Sequence, residues 1–153
     1  MSVRSAAAED LPAVLPLVRA YCEFYETTPE EAPDAGLEEM CRALISAPED
    51  QGMLLVAEDD SGDVVGFAAV GWKWSSLRAS RVAILEDLFV SPEARGGGFG
   101  RELILAVADR AREHGAPKLE WVTAVDNHRA RAVYDSVGAL GGEWRNYELE
   151  LGD

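Results

Sequence analysis

Residues 53–70 read Met53-Leu54-Leu55-Val56-Ala57, then a polar stretch ending Asp59-Asp60-Ser61-Gly62-Asp63, then Val64-Val65-Gly66-Phe67-Ala68-Ala69-Val70. Two apolar, partly β-branched runs joined by a short glycine-containing turn predict an antiparallel hairpin. A hairpin in mid-chain rules out a uniformly parallel sheet. The flanking segments must therefore fit around antiparallel strands.

Upstream, Val3-Arg4-Ser5 reads as a short opening strand, and Glu9-Asp10-Leu11-Pro12 carries the acidic residues and early proline of a helix start. Leu11, Val14, Leu15 and Val18 recur at helical spacing as far as Tyr21, Cys22 and Tyr25. After Thr27-Thr28-Pro29, a second amphipathic helix runs through Leu37, Met40, Cys41, Leu44 and Ile45 and ends before Pro48. Downstream, Arg81 to Val90 predicts a strand, and Leu103, Ile104, Val107, Ala108 and Ala111 a helix that starts near Phe99 and closes at His114-Gly115. Leu119 to Val125 predicts a strand, Ala130 to Val137 a short helix, and Trp144 to Leu151 an alternating last strand. The order β-α-α-β-β-β-α-β-α-β predicts an α+β fold with a mixed, mostly antiparallel central sheet flanked by helices. A chain of 153 residues can bury roughly two thirds of its unfolded surface. No repeat or linker divides it, so residues 1–153 are expected to form a single domain.

The net charge of −14 repels phosphate backbones and argues against nucleic acid as a partner. Arg4, Arg19 and Arg42 are the only basic residues before Lys73, while Glu23, Glu26, Glu30, Glu31, Asp34, Glu38 and Glu39 crowd the same region. That asymmetry suits a cationic molecule approaching the first half and an anionic one held by the second. No run nears the ~20 apolar residues of a membrane span, and no secretory signal opens the sequence. A cytoplasmic protein without membrane contact is expected. Cys22 and Cys41 stand far apart, and His114 and His128 lack partners at ligand spacing, so neither disulfide nor metal is expected.

Ser91-Pro92-Glu93-Ala94-Arg95-Gly96-Gly97-Gly98-Phe99-Gly100-Arg101 joins the 81–90 strand to the next helix. A strand ending in glycines and feeding a helix exposes unpaired amides where the helix dipole favours an anion. Side chains at Gly96, Gly97, Gly98 and Gly100 would hold a phosphate off those amides. The Walker pattern fails because Arg101-Glu102 follows Gly100, and the dinucleotide fingerprint fails at Leu103. Arg-x-x-Gly-x-Gly, read as Arg95, Gly98 and Gly100, fits.

With this motif the sequence resembles the GCN5-related N-acetyltransferase (GNAT) family over nearly its whole length. "WVTAVDNHRARAVYDSVGA" is similar to the family's later signature through Asn127, Ala130, Tyr134, Gly138 and Ala139. The resemblance implies acetyl-coenzyme A as the donor. Its diphosphate would lie on the amides from Arg95 through Gly96, Gly97, Gly98, Phe99 and Gly100 to Arg101. The pantetheine arm would lie between splayed strands, against the main chain of Leu88, Phe89 and Val90. Asn127 would contact pantetheine or orient the following helix, and Arg129 or Arg131 would reach the adenosine phosphate. Acetylation needs a neutral amine; Glu86 is the first candidate base and Asp87 the reserve, strand alternation sending them to opposite faces unless a bulge intervenes. Tyr134 occupies the family's general-acid position. Tyr21, Glu23, Tyr25, Glu26, Trp72 and Trp74 are candidates for recognising a cationic amine, whether a small molecule or a peptide lysine or N-terminus. The resemblance further implies a homodimer built through the last strands. Two other functions stay open: a non-catalytic coenzyme A sensor or structural partner, and an acyltransferase using a longer acyl donor.

Overall fold

The computed structural model describes residues 1–152. Five strands, β1 (Ser2–Ser5), β2 (Met53–Glu58), β3 (Val64–Ser75), β4 (Ser80–Val90) and β5 (Leu119–Glu120), lie side by side in that order. Four helices accompany them: α1 (Leu11–Phe24), α2 (Asp34–Ser46), α3 (Phe99–Glu113) and α4 (His128–Ser136). The first four strands pair antiparallel, and β5 pairs parallel to β4. This is the expected α+β sheet.

Period-two alternation in β2 divides the core. Met53, Leu55 and Ala57 face one side with Val70, Ala83 and Leu85, where Leu103, Ile104, Val107 and Ala111 of α3 cover them. Leu54 and Val56 face the other with Phe67 and Phe89, beneath Leu11, Val14 and Val18 of α1 and Cys41 of α2. Both cysteines are buried free thiols.

Two elements differ from the sequence reading. The strand expected over 119–125 pairs with β4 only at Leu119 and Glu120, opposite Ala83 and Ile84, after which the two segments part. The strand expected over 144–151 does not form: the segment is unpaired and wholly exposed. Alternation supplies the strand pattern, but a strand exists only beside a neighbour, and among the described residues none lies alongside this one.

Candidate active site

The parting of β4 from the segment after β5 opens a shallow cleft lined by Tyr21, Tyr25, Leu85, Glu86, Leu88, Trp121, Val122 and Tyr134. On its β4 side the pairing with β3 slips: Ala69 lies opposite Asp87, but Val70 lies opposite Leu85, leaving Glu86 as an extra residue. That bulge reverses the parity of the strand. Leu85 before it and Leu88 and Val90 after it pack toward α3, whereas Asp87 and Phe89 turn toward α1. Glu86 itself lies over Gly71, where an added Cβ would come within 3.3 Å of its Oε1. The expectation of opposite faces is thereby corrected: the bulge puts both carboxylates on the α1 side of the sheet.

Their surroundings differ. Glu86 is exposed at the cleft. Asp87 sits deeper, where burial pushes its carboxyl above the ordinary range and the nearby Tyr21 hydroxyl offsets part of that rise. Burial raises the Tyr21 phenol strongly, and the Asp87 charge adds to the effect. Tyr25 packs against Tyr21 with ring centroids 4.9 Å apart. Across the cleft, the half-buried Tyr134 stands edge-on to Trp121, centroids 5.2 Å apart. Burial raises its phenol and the neighbouring Thr123 hydroxyl tempers the shift. It is a neutral proton donor at physiological pH.

At the end of β4 the chain passes through a 3-10 turn (Pro92–Ala94) into the glycines. Gly96 and Gly98 both adopt φ of +86°, a left-handed conformation that a Cβ disfavours, and Gly98 is the N-cap of α3. The backbone amides of residues 96–101 have no protein acceptor among the described residues. Gly100 is different in kind, since a Cβ there would meet nothing closer than 3.9 Å. The protein leaves room for a side chain at this position, yet none is present. Six open amides at a helix N-terminus beside that space fit a diphosphate. Arg95 donates from Nε to the Val90 carbonyl at 3.0 Å and lays its guanidinium 5.3 Å from the centre of the Phe89 ring. It ties the turn to the end of β4.

Asn127 caps α4, its Oδ1 accepting from the Ala130 amide at 3.3 Å. Arg131 donates to the Val125 carbonyl at 2.6 Å, and Arg129 is exposed. Of the candidate acceptor residues, Tyr21 and Tyr25 line the cleft. Trp72 does not join them: it lies on the α3 side, donates to the Glu49 carbonyl at 3.1 Å, and carries the Arg81 guanidinium over its ring. Trp74, near the tip of the β3–β4 hairpin, is 77 % exposed. Glu23 and Glu26 are exposed and outside the cleft lining, Glu26 at φ +57°. The cleft also uses Trp121 and Val122, which the sequence reading passed over because inside an apolar run nothing marks a lining residue.

Residues 17–139 match the acetyltransferase (GNAT) family. An uncharacterised N-acetyltransferase of Bacillus subtilis (strain 168) is 36 % identical over 139 residues, spanning 90 % of this chain and 89 % of its own. The thialysine N-epsilon-acetyltransferase of Bos taurus is 30 % identical over 149 residues, spanning 90 % and 82 %. An aminoglycoside N-acetyltransferase solved in complex with CoA superposes with a TM-score of 0.82 at 21 % identity, over 97 % of this chain and 93 % of that one.

Proposed function

Since the chain belongs to the acetyltransferase (GNAT) family, we propose that it moves an acetyl group from acetyl-coenzyme A to the primary amine of a small cationic molecule. The row of open amides over residues 96–101, ending beside the vacant Cβ space of Gly100, carries this reading. It is the right shape and polarity for the donor's diphosphate, and the parted strands lead from it to the cleft.

In this reading the amine nitrogen attacks the thioester carbonyl in a ternary complex. The C–N bond forms, the C–S bond breaks, and the surplus proton on nitrogen passes to Glu86, directly or through water. The departing sulfur takes a proton from the Tyr134 phenol, which burial keeps protonated until then. Holding thioester and amine together supplies much of the rate. Asp87 and the two tyrosines recognise the positive charge of the acceptor, a role supported by a half-buried carboxyl group beside aromatic faces. The name of the bovine relative supports an amine at the end of a side chain as acceptor. We place the enzyme in the cytoplasm and read its working form as a homodimer.

Gly100→Ala tests the proposal at its carrying observation. The added methyl has room in the protein, and alanine favours the helix by up to ~1 kcal/mol, so the variant folds at least as well as the parent. Calorimetry is expected to show coenzyme A binding weakened about tenfold or more, roughly 1.4 kcal/mol. Thiol release with a panel of amines follows turnover in the parent. If the parent binds no coenzyme A, the reading fails; binding without thiol release from any amine favours the sensor instead.

A further inference from the structure

Glu86 is the residue added at the β4 bulge, and it is exposed. Among the described residues its carboxylate has no hydrogen bond and no ion pair. Lys73 stands on the same face of the sheet, two residues along β3 from Gly71, but it pairs with Glu120, which Lys118 also holds at 2.8 Å. A glutamate left this free samples many rotamers. A proton acceptor works only when its oxygen comes within roughly 2.6–3.2 Å of the nitrogen that loses the proton, or reaches it through one water. Something other than a polar partner must set where this carboxylate lies.

Gly71 supplies that constraint. Its neighbours Val70 and Trp72 pack toward α3, so alternation directs position 71 to the opposite side, where Glu86 lies. The three atoms nearest to a Cβ built on Gly71 all belong to Glu86: Oε1 at 3.3 Å, Cγ at 3.7 Å and Cδ at 3.9 Å. The side chain of Glu86 therefore rests along the bare backbone of β3. Glycine weakens a strand interior, and Gly71 has no positive φ that would require it. Gly66, on the same strand, is of another kind: a Cβ there would come within 2.9 Å of the Phe89 carbonyl oxygen, so close backbone packing demands glycine. We propose that Gly71 is a positioning residue for Glu86: its missing side chain leaves a seat on β3 in which the carboxylate lies at the cleft, placed to take the proton of the attacking amine. The catalytic consequence, though not the seat itself, rests on Glu86 being the proton acceptor.

Gly71→Ala and Gly71→Val test this. Both residues suit a strand at least as well as glycine, so the melting temperature is expected to hold or rise. Coenzyme A binding is expected to stay unchanged, since the 96–101 turn lies beyond Val90, well along β4 from Ile84, the partner of Gly71. Thiol release in a single turnover, with the amine that the parent acetylates fastest, isolates the chemical step. It is expected to slow about threefold in Gly71→Ala, where a small shift of the carboxylate makes room, and about tenfold or more in Gly71→Val, which fills the seat. In Glu86→Gln, which removes the proton acceptor, adding Gly71→Val should change the rate less than about twofold, because a seat matters only to the group that uses it. An unchanged rate in Gly71→Val overturns the proposal. So does an equal loss in both backgrounds, which would mean that Gly71 serves the geometry of the bulge alone.

The carboxyl-carbon NMR resonance of Glu86, identified by its loss in Glu86→Gln, separates the seat from the reaction and is expected to shift in Gly71→Ala. If the parent acetylates no amine, or Glu86→Gln is as fast as the parent, the functional reading of Glu86 fails. A shifted resonance then keeps the seat, and an unmoved one removes it.

Discussion

Asp87 shows how one carboxylate couples stability to recognition. Burial raises its pKa above the unfolded value, so the protonated form is the one the fold prefers. The stabilisation it brings is complete below the unfolded carboxylate range and is lost as pH rises through the raised value. Above that value the ionised group is a cost that the fold carries. Asp87→Asn, similar in shape and neutral, is therefore expected to raise the melting temperature relative to the parent more at pH 7 than at pH 4. Thermal melts at the two values check this, and an equal offset at both would show that the Asp87 charge is not held at a cost. The pair of carboxylates was legible in the sequence but their common orientation was not, because alternation alone cannot reveal an inserted residue. The positions of Gly96, Gly98 and Gly100 could be read because glycine marks backbone requirements locally.

At the scale of elements, the β3–β4 hairpin closes from Ser75 opposite Ser80, with Ala79 at φ +48°. A left-handed alanine costs ~1–2 kcal/mol relative to glycine, part of which glycine returns through its freer unfolded chain. Ala79→Gly is expected to stabilise by ~0.5–1 kcal/mol, raising the melting temperature by ~1–4 °C for a chain of this size. A lowered melting temperature would mean that the turn relaxes to another conformation. Helices α1 to α3 and the hairpin strands were legible because their burial pattern is periodic and local. The reading stopped β3 at Val70, short of Trp72 and Trp74, and so could not place Trp72 on the α3 side. It drew Leu119 to Val125 and Trp144 to Leu151 as strands because propensity reports what a segment can do, whereas a ladder also needs a neighbour, and neighbours are distant in sequence.

For the molecule as a whole, the balance of 28 acidic against 14 basic residues sets a long-range field that draws cations and repels anions. The KM of a cationic acceptor is expected to rise as added salt shortens the Debye length from ~10 Å at 0.1 M toward ~3 Å at 1 M. That of a neutral amine should change less. Steady-state kinetics across this range decide the matter, and matching salt responses would remove charge from the account of acceptor choice.

Glu86, the extra residue of β4, also bears on descent. A gene that lost its codon would keep its reading frame and its facing pattern as well, since Leu85 and Asp87 would then follow one another on opposite faces, as their partners Val70 and Ala69 already do. The cleft would lose one carboxylate while every other side chain of β4 kept its side. Among such chains, matching letters across the gap would still pair side chains that look toward the same helix, and the loss of a base would be written as a missing triplet rather than as a substitution.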